Sequence, residues 1–100
     1  MRLRQILASS CRQKMLETLA KIETIHVMEL VRKTNSTYNQ INRNLRILVE
    51  ENVVMVKHYG RLKIIQLNRE SEKTRLLLRA LYLLDRPIPN SQNLVSMNKS

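Results

Sequence analysis

The spacing of apolar residues changes at Asn52, and this change constrains the fold more than any other feature of the sequence. Upstream of it, apolar residues such as Ile41, Leu45 and Leu48 recur every three or four positions, which is the period of an amphipathic helix. Downstream, the run 53–57 is rich in β-branched residues, which favour strands. The chain is therefore expected to pass from a helix into β-structure at this point.

A β-hairpin is predicted after this point. The strand 53–57 is followed by the turn 58–61, which contains Gly60, the only glycine of the chain. A second apolar segment rich in β-branched residues then covers 62–67. Two such strands around a short glycine-containing loop are typical of a hairpin.

Four helical segments are predicted around the hairpin from their periodic apolar residues and their capping residues. They span about 10–21, 27–33, 37–51 and 69–85. Ser10 and Gln13 fit a capping box at the start of the first helix. The segment 23–26 holds β-preferring residues and is either a connector or a single short strand.

The predicted fold class is mainly α with a small β-hairpin, in the order α-α-α-β-β-α. A length of 100 residues suits a single core, and only 1 Gly and 2 Pro interrupt the helices. The domain is expected to span 1–86, and 87–100 is expected to be a flexible tail because it lacks periodicity. No apolar run is long enough for a membrane span and the N-terminus is a poor secretory signal, so a cytoplasmic location is expected.

The charge of the chain favours a polyanionic partner. The chain carries 18 Lys and Arg against 8 Asp and Glu, which gives a formal net charge of +10. Nucleic acid is the commonest partner of a small, strongly basic domain. A basic surface that only serves solubility is the alternative.

Helices 27–33 and 37–51 are separated by three or four residues, which is typical of a helix-turn-helix. The outward arc of the second helix is polar, and residues 37–46 contain no acid. Asn and Gln pair with adenine and Arg with guanine, and the N-terminal part of such a helix lies deepest in the major groove. Contacts with base edges are therefore predicted for Tyr38, Asn39, Gln40 and Arg43.

Contacts with the DNA backbone are predicted for Ser36, Thr37, Asn42 and Arg46 of the same segment. The hairpin is basic as well, since residues 53–67 contain no acid, and Arg is favoured in minor grooves. Hairpin contacts with the backbone or a minor groove are predicted for Lys57, Tyr59, Arg61 and Lys63. The alternatives are an ordinary polar helix face and a hairpin whose lysines only prevent strand pairing at its edge.

The stretch 28–31 together with 45–54 resembles the winged helix-turn-helix of ArsR-type and related archaeal transcriptional regulators. In that family a segment of leucine, basic, aliphatic, leucine, any, acidic, any, glycine and two aliphatic residues precedes the wing. Residues 45–54 follow this pattern except that Asn52 replaces the glycine, and Asn35 stands near the usual glycine of the turn. Asparagine tolerates the left-handed backbone better than other non-glycine residues. The resemblance covers about residues 10–85.

A homodimer is predicted from the last helix. Leucines cover nearly its whole circumference, whereas packing on one domain buries only one side of a helix. A two-fold dimer is the simplest cover for the remainder, and the resemblance also implies a dimer made by the terminal helices. The predicted interface residues are Leu77, Leu78, Leu81, Tyr82 and Leu84; the alternative is a helix fully buried in a monomeric core.

No metal, cofactor or catalytic centre is expected. Cys11 lies on the apolar side of helix 10–21 and is predicted to be a buried core thiol. His26 and His58 lie far apart, and tetrahedral zinc needs more ligands than these three residues supply. The sequence has no glycine-rich phosphate loop and no pair of carboxylates on an apolar face, so the chain is not predicted to be an enzyme.

The sequence thus predicts a homodimeric transcriptional regulator that binds double-stranded DNA and acts as a repressor. Its two recognition helices would lie about 34 Å apart, so the operator is expected to be an inverted repeat. The alternative is a winged-helix protein-interaction module that uses the leucine-rich helix and does not bind DNA. RNA binding is less favoured, because three Tyr without Phe or Trp offer few stacking platforms.

Overall fold

A computed structural model of the chain describes residues 2–85. Within this range, helices and strands follow one another as α1 (Leu3–Ile6), α2 (Ser10–Lys21), β1 (Thr24–His26), α3 (Val27–Thr34), α4 (Tyr38–Glu50), β2 (Val54–Tyr59), β3 (Leu62–Leu67) and α5 (Glu72–Asp85). The predicted class, mainly α with a β-hairpin, is confirmed, and α1 and β1 are added to the predicted order. The predicted tail 87–100 lies outside the described residues.

The three strands form one antiparallel sheet in the order β1-β3-β2. The segment 23–26, expected as a connector or a strand, contributes β1. Ile25 pairs with Ile65, and Ile65 pairs with Val56 on its other side. Because directly paired residues share a face of a sheet, these three side chains form a row that faces the helices.

The hairpin turn is tighter than predicted. The loop between β2 and β3 consists of Gly60 and Arg61, and Tyr59 pairs with Leu62 across it. The predicted four-residue turn 58–61 was therefore too long by two residues. Gly60 has a φ of 63°, a conformation that two-residue hairpin loops require and that glycine adopts without strain.

The core lies between α2, α4, α5 and the sheet. The apolar stripe predicted for α4 is buried, since Ile41 and Leu48 are fully buried and Leu45 is 3% exposed. The helix α2 is central because it contacts α3, α4, α5 and β3. Within residues 2–85, no helix has both the length and the apolar character needed to cross a membrane.

Two of the residues predicted for the dimer interface belong to this core instead. Leu77 is fully buried and Leu81 is 5% exposed, and both pack within their own domain. Leu77 is therefore not available to a second protomer, whereas Leu81 still lines the groove between α2 and α5. By contrast, Tyr82 and Leu84 are 64% and 67% exposed, and Leu78 is half-buried.

The N-terminus of α2 is capped one residue earlier than predicted. Ser9, and not Ser10, has the extended backbone of an N-cap residue, and its hydroxyl accepts a hydrogen bond of 3.2 Å from the Arg12 amide. Gln13 does not complete a capping box, because its side-chain amide donates to the carbonyl of Leu7. The bounds predicted for this helix, 10–21, are confirmed.

The helix α5 begins three residues after its predicted start at 69. The Ser71 hydroxyl accepts a hydrogen bond of 3.4 Å from the Thr74 amide. The side-chain amide of Asn68 donates to the carbonyl of Asn52 at 3.2 Å. The start of α5 is thereby fixed next to the junction between α4 and β2.

Two side-chain contacts hold α5 on the domain. The buried hydroxyl of Thr74 donates to the carbonyl of Val53 at 3.3 Å. The ammonium group of Lys73 lies 2.6 Å from a carboxylate oxygen of Glu51. This hydrogen bond and the positive charge of Lys73 lower the pKa of Glu51.

Two asparagines adopt the left-handed conformation expected from the sequence. Asn35 at the end of α3 has φ 54° and ψ 42°, and Asn52 between α4 and β2 has φ 64°. By the resemblance described above, Asn52 replaces a glycine of the family pattern and Asn35 stands near the usual glycine of the turn. Asparagine fits here because its backbone tolerates positive φ at less cost than other residues with a Cβ.

Replacing Asn52 tests this constraint. Asn52→Ala is expected to lower the free energy of unfolding by about 1–2 kcal/mol relative to Asn52→Gly, because alanine in the left-handed region is strained. Urea unfolding of both variants measures the difference. Asn39→Ala, at an exposed position of α4, is the control, and equal stability of the alanine and glycine variants of Asn52 would contradict the assignment.

Candidate nucleic-acid interface

A three-residue turn, 35–37, joins α3 to α4. The turn closes with hydrogen bonds from the Asn35 amide to the Arg32 carbonyl at 3.2 Å and from the Ser36 amide to the Val31 carbonyl at 3.1 Å. The buried hydroxyl of Thr34 donates to the Leu30 carbonyl at 2.7 Å. These bonds satisfy the last carbonyls of α3 and set the direction in which α4 leaves.

The first turn of α4 is a capping box. The Thr37 hydroxyl accepts from the Gln40 amide at 3.1 Å, and the Gln40 side-chain oxygen accepts from the Thr37 amide at 2.9 Å. A bidentate contact with adenine uses both the oxygen and the nitrogen of the amide group. Because the capping bond holds the Gln40 oxygen at the helix N-terminus, the base contact predicted for Gln40 competes with its capping role, and its NH₂ group is the part left without a partner among residues 2–85. The pattern Thr-x-x-Gln in the sequence is the signal that was missed.

The exposed side of α4 carries the other predicted base-contacting residues. Tyr38 is 43% exposed, and Asn39 and Arg43 are exposed as well. Within residues 2–85, none of the three has a side-chain hydrogen bond or ion pair. Their donors and acceptors are therefore available to a ligand that approaches the N-terminal half of α4.

Among the predicted backbone contacts, the structure brings Asn42 and Lys63 together. The Lys63 ammonium donates to the side-chain oxygen of Asn42 at 3.1 Å, and both residues are half-buried. This bond joins the hairpin to α4. Lys63 therefore has a structural role as well as a charge, whereas the sequence suggests a contact with DNA alone.

The other hairpin residues do not form one surface. Strand pairing places His58 opposite Lys63 and Tyr59 opposite Leu62. Because side chains alternate between the faces of a sheet, His58 and Lys63 face α4, whereas Lys57 and Tyr59 lie on the opposite face. Arg61 lies in the loop at the tip. The tip 58–61 was predicted to contact DNA as one unit, but the alternation along β2 separates His58 from Tyr59.

Positive charge is concentrated on α4 and the hairpin without neutralising acids. Residues 30–49 and 53–67 contain no Asp or Glu. In the part of the chain that the structure describes, four exposed cations of α4 and the hairpin have no hydrogen-bond or ion-pair partner: Arg43, Arg46, Lys57 and Arg61. Glu51, beyond the end of α4, is paired with Lys73. Both elements are thus suited to contacts with phosphate groups.

The inner side of α4 holds a polar residue that sequence reasoning missed. Asn44 is 9% exposed and lies on the arc of Ile41 and Leu48. Its side-chain oxygen accepts from an Arg12 guanidinium nitrogen at 2.8 Å. Its position in the sequence indicates this inner placement, because Asn44 comes three residues after Ile41 and directly before Leu45, both of which belong to the apolar stripe.

Cys11 was predicted to be a buried core thiol; it lies on the core side of α2 as expected but is only half-buried. Its side chain packs against the core, and its sulfur lies 3.6 Å from the hydroxyl of Ser36 in the turn before α4. No three His, Cys, Asp or Glu side chains come together as a possible metal site among residues 2–85.

A helix-turn-helix with an exposed second helix, followed by a basic hairpin, defines a winged helix-turn-helix DNA-binding protein. Residues 12–68 match the family of DeoR-like helix-turn-helix domains. The chain belongs to this family, and its function is DNA binding in transcription regulation. The prediction of a winged-helix transcriptional regulator is confirmed.

Several solved structures share this fold. The AntR antimony-specific transcriptional repressor has 19% sequence identity and a TM-score of 0.69, and the match covers 83% of this chain and 74% of that one. A homodimeric winged helix-turn-helix DNA-binding domain from Mycobacterium bovis, a possible ArsR-family regulator, has 22% identity, a TM-score of 0.69 and coverages of 83% and 75%. NolR from Sinorhizobium fredii has 21% identity, a TM-score of 0.69 and coverages of 81% and 78%. No curated protein sequence matches the chain.

The capping box makes a testable contribution to α4. Thr37→Ala is expected to lower the free energy of unfolding by about 1 kcal/mol, because the Gln40 amide loses its acceptor at the helix N-terminus. Thermal or urea unfolding measures the loss. Asn39→Ala, two residues further along the same turn, removes no cap and is the control. A loss no larger for Thr37→Ala than for this control would contradict the capping role.

Proposed function

We propose that the chain acts as a homodimer that represses transcription by occupying an inverted-repeat operator. The observation that carries this proposal is the exposed, acid-free N-terminal half of α4, whose cation Arg43 has no intramolecular partner among residues 2–85. Anionic ligands are attracted to such a surface, and a helix of this kind fits the major groove. Occupying operator DNA requires the compartment that holds DNA, so the proposal includes the cytoplasmic location expected from the sequence.

In the proposed complex, the N-terminal half of α4 reads base edges in the major groove. Arg43 pairs with a guanine and Asn39 with an adenine, because these side chains match the donor and acceptor patterns of those bases. Tyr38 lies beside them. Gln40 contributes a single hydrogen bond through its NH₂ group, since its oxygen caps the helix.

The flanks of α4 and the hairpin bind the DNA backbone in this proposal. Phosphate contacts come from the hydroxyl and charged groups of Ser36, Thr37, Arg46 and Lys57. Arg61 at the tip of the hairpin enters the adjoining minor groove, where Arg is favoured. Asn42 and Lys63 hold the hairpin against α4 and contribute the Lys63 charge near the backbone.

The proposed dimer interface is the outer side of α5. Four of its apolar residues are between 46% and 67% exposed: Leu76, Tyr82, Leu83 and Leu84. This surface continues into a groove of about 240 Å³ between α2 and α5, which Ala20 and Leu78 help to line. A second copy of the chain is the proposed occupant, because a two-fold pair buries the same apolar residues of both protomers. The related domain from Mycobacterium bovis is homodimeric.

Substitutions at Arg43 and Lys57 separate base reading from charge. The probe is a duplex selected by the wild-type protein from a random library, compared with a scrambled duplex of the same composition. Arg43→Ala is expected to reduce the preference for the selected duplex by about 1–3 kcal/mol. Lys57→Ala is expected to weaken both duplexes about equally and to reduce the salt dependence by about one phosphate per protomer.

Gel-shift titrations at several salt concentrations measure both effects. If each protomer neutralises about 3–5 phosphates, the logarithm of the binding constant falls against that of the salt concentration with a slope of about −5 to −9 for the dimer. Failure of the wild-type protein to bind any duplex at low salt removes the proposal. Equal effects of the two substitutions would show that Arg43 contacts only the backbone.

The dimer proposal predicts that Leu84→Glu yields monomers. Leu84 is 67% exposed in the protomer, and a carboxylate there would be buried without a partner in the interface. The dimer dissociation constant is therefore expected to rise by about tenfold or more, which corresponds to at least about 1.4 kcal/mol. Sedimentation velocity over a range of protein concentrations measures the effect. Met28→Glu places the same charge at a 50% exposed apolar position on α3 and is expected to leave the dimer intact. A Leu84→Glu protein that stays dimeric would refute the assigned surface.

A further inference from the structure

Arg12 joins three helices through its side chain. It lies in the first turn of α2, and its Nε and Nη2 groups donate to the carbonyls of Ile6 and Gln5 at 2.9 Å each. These carbonyls belong to the last turn of α1, where helix carbonyls run out of intrahelical donors; that of Gln5 also accepts from the Ala8 amide at 3.3 Å. Its Nη1 group donates to the side-chain oxygen of Asn44 in α4 at 2.8 Å. The guanidinium therefore links the N-terminal helix to the DNA-reading helix.

Asn44 is fixed on both sides of its amide group. While its oxygen accepts from Arg12, its nitrogen donates to the carbonyl of Gln40 at 2.8 Å. Gln40 in turn forms the capping box with Thr37. A continuous set of hydrogen bonds thus runs from α1 through Arg12 and Asn44 to the first turn of α4, the part that faces DNA in the proposed complex.

The position of Asn44 relative to Arg43 makes this set relevant to DNA reading. Consecutive residues of a helix are separated by about 100° around its axis. Arg43 is exposed while Asn44 is buried, so a fixed Asn44 also fixes the direction in which Arg43 leaves the helix. Apolar contacts alone would resist sliding or rotation of α4 less specifically, because they are not directional.

We propose that Arg12 is a positioning residue for DNA recognition: through Asn44 it holds α4 in the orientation that sequence discrimination requires. The inference rests on the proposed function, because it assigns Arg12 a role in reading the operator without contact with DNA. Binding constellations need to be held within about 0.5 Å and 10–20° of their productive geometry. Arg12 supplies this restraint by the planar geometry of its donors, and its charge is secondary.

Arg12→Lys tests geometry at constant charge. A lysine has one ammonium group and cannot reproduce the planar fork that reaches Gln5, Ile6 and Asn44 together. The ratio of the affinity for the selected duplex to that for the scrambled duplex is expected to fall by about tenfold or more. Its salt dependence is expected to match the wild type because the charge is kept.

Two further variants complete the comparison. Asn44→Ala removes the acceptor in α4 and is expected to reduce the ratio as Arg12→Lys does. Arg4→Lys makes the same chemical change at an exposed residue of α1, one without a side-chain hydrogen bond or ion pair among residues 2–85, and is expected to leave the ratio unchanged. Thermal unfolding of each protein shows whether the loss follows stability.

A reduced ratio in folded Arg12→Lys protein, with unchanged affinity for the scrambled duplex, supports the inference. An unchanged ratio overturns it, and so does a parallel loss for both duplexes that follows the melting temperature. If the variants do not fold, NMR of the wild-type complex decides, since slowly exchanging Arg12 Nη1 protons are expected from the bond to Asn44, and rapid exchange of these protons overturns the inference. Wild-type protein that selects no sequence contradicts the proposed function itself, whereas equal discrimination by wild type and Arg12→Lys contradicts only the role of Arg12.

Discussion

Burial of one side of α4 against α2 and the sheet is the constraint on which the rest of the structure depends. Ile41, Leu45 and Leu48 fill the core on that side, and each contributes on the order of 1.5–3 kcal/mol by leaving water. Since a helix of 3.6 residues per turn cannot bury its whole circumference on one domain, the opposite side faces solvent. The packing of the core therefore presents Asn39 and Arg43 to a ligand, and the DNA-binding surface follows from the way in which the domain folds.

Apolar burial determines which side of α4 points inwards, and hydrogen bonds determine where the helix begins and how it is oriented about its axis. At the N-terminus the capping box of Thr37 and Gln40 determines where the helix begins. At its middle, Asn42 binds Lys63 of the hairpin and Asn44 binds Arg12 of α2. A buried polar side chain is stable only when its hydrogen bonds are satisfied. These contacts therefore tolerate smaller displacements of α4 than the packing of leucines does.

Sequence patterns predicted the long elements and missed contacts that depend on distant residues. Periodicity located α2 and α4 because it reflects burial of a whole helix side, and the change at Asn52 located the hairpin. Local sequence could not decide between a connector and the strand β1, since a three-residue strand is stabilised by pairing with β3, a partner some forty residues away. Ser9 and Ser10 are both good capping residues, and the backbone path from α1 decides between them. The residue type of Gln40 suits both capping and base reading, and only its spacing from Thr37 in the sequence indicates the capping role.

The same difficulty explains why net charge only partly defines a binding surface. Arg12 and Arg43 are the same residue type. The guanidinium of Arg12 donates to three acceptors within the fold, whereas that of Arg43 has no acceptor among the described residues. Arg69 likewise donates to the carbonyl of Ala20, and Lys73 pairs with Glu51. A guanidinium that satisfies carbonyls inside the fold has fewer donors for phosphate, although its charge still adds to the overall field. The cations that matter most to a polyanion are therefore those that the fold leaves unsatisfied on α4 and the hairpin, and their number is set by tertiary contacts more than by composition.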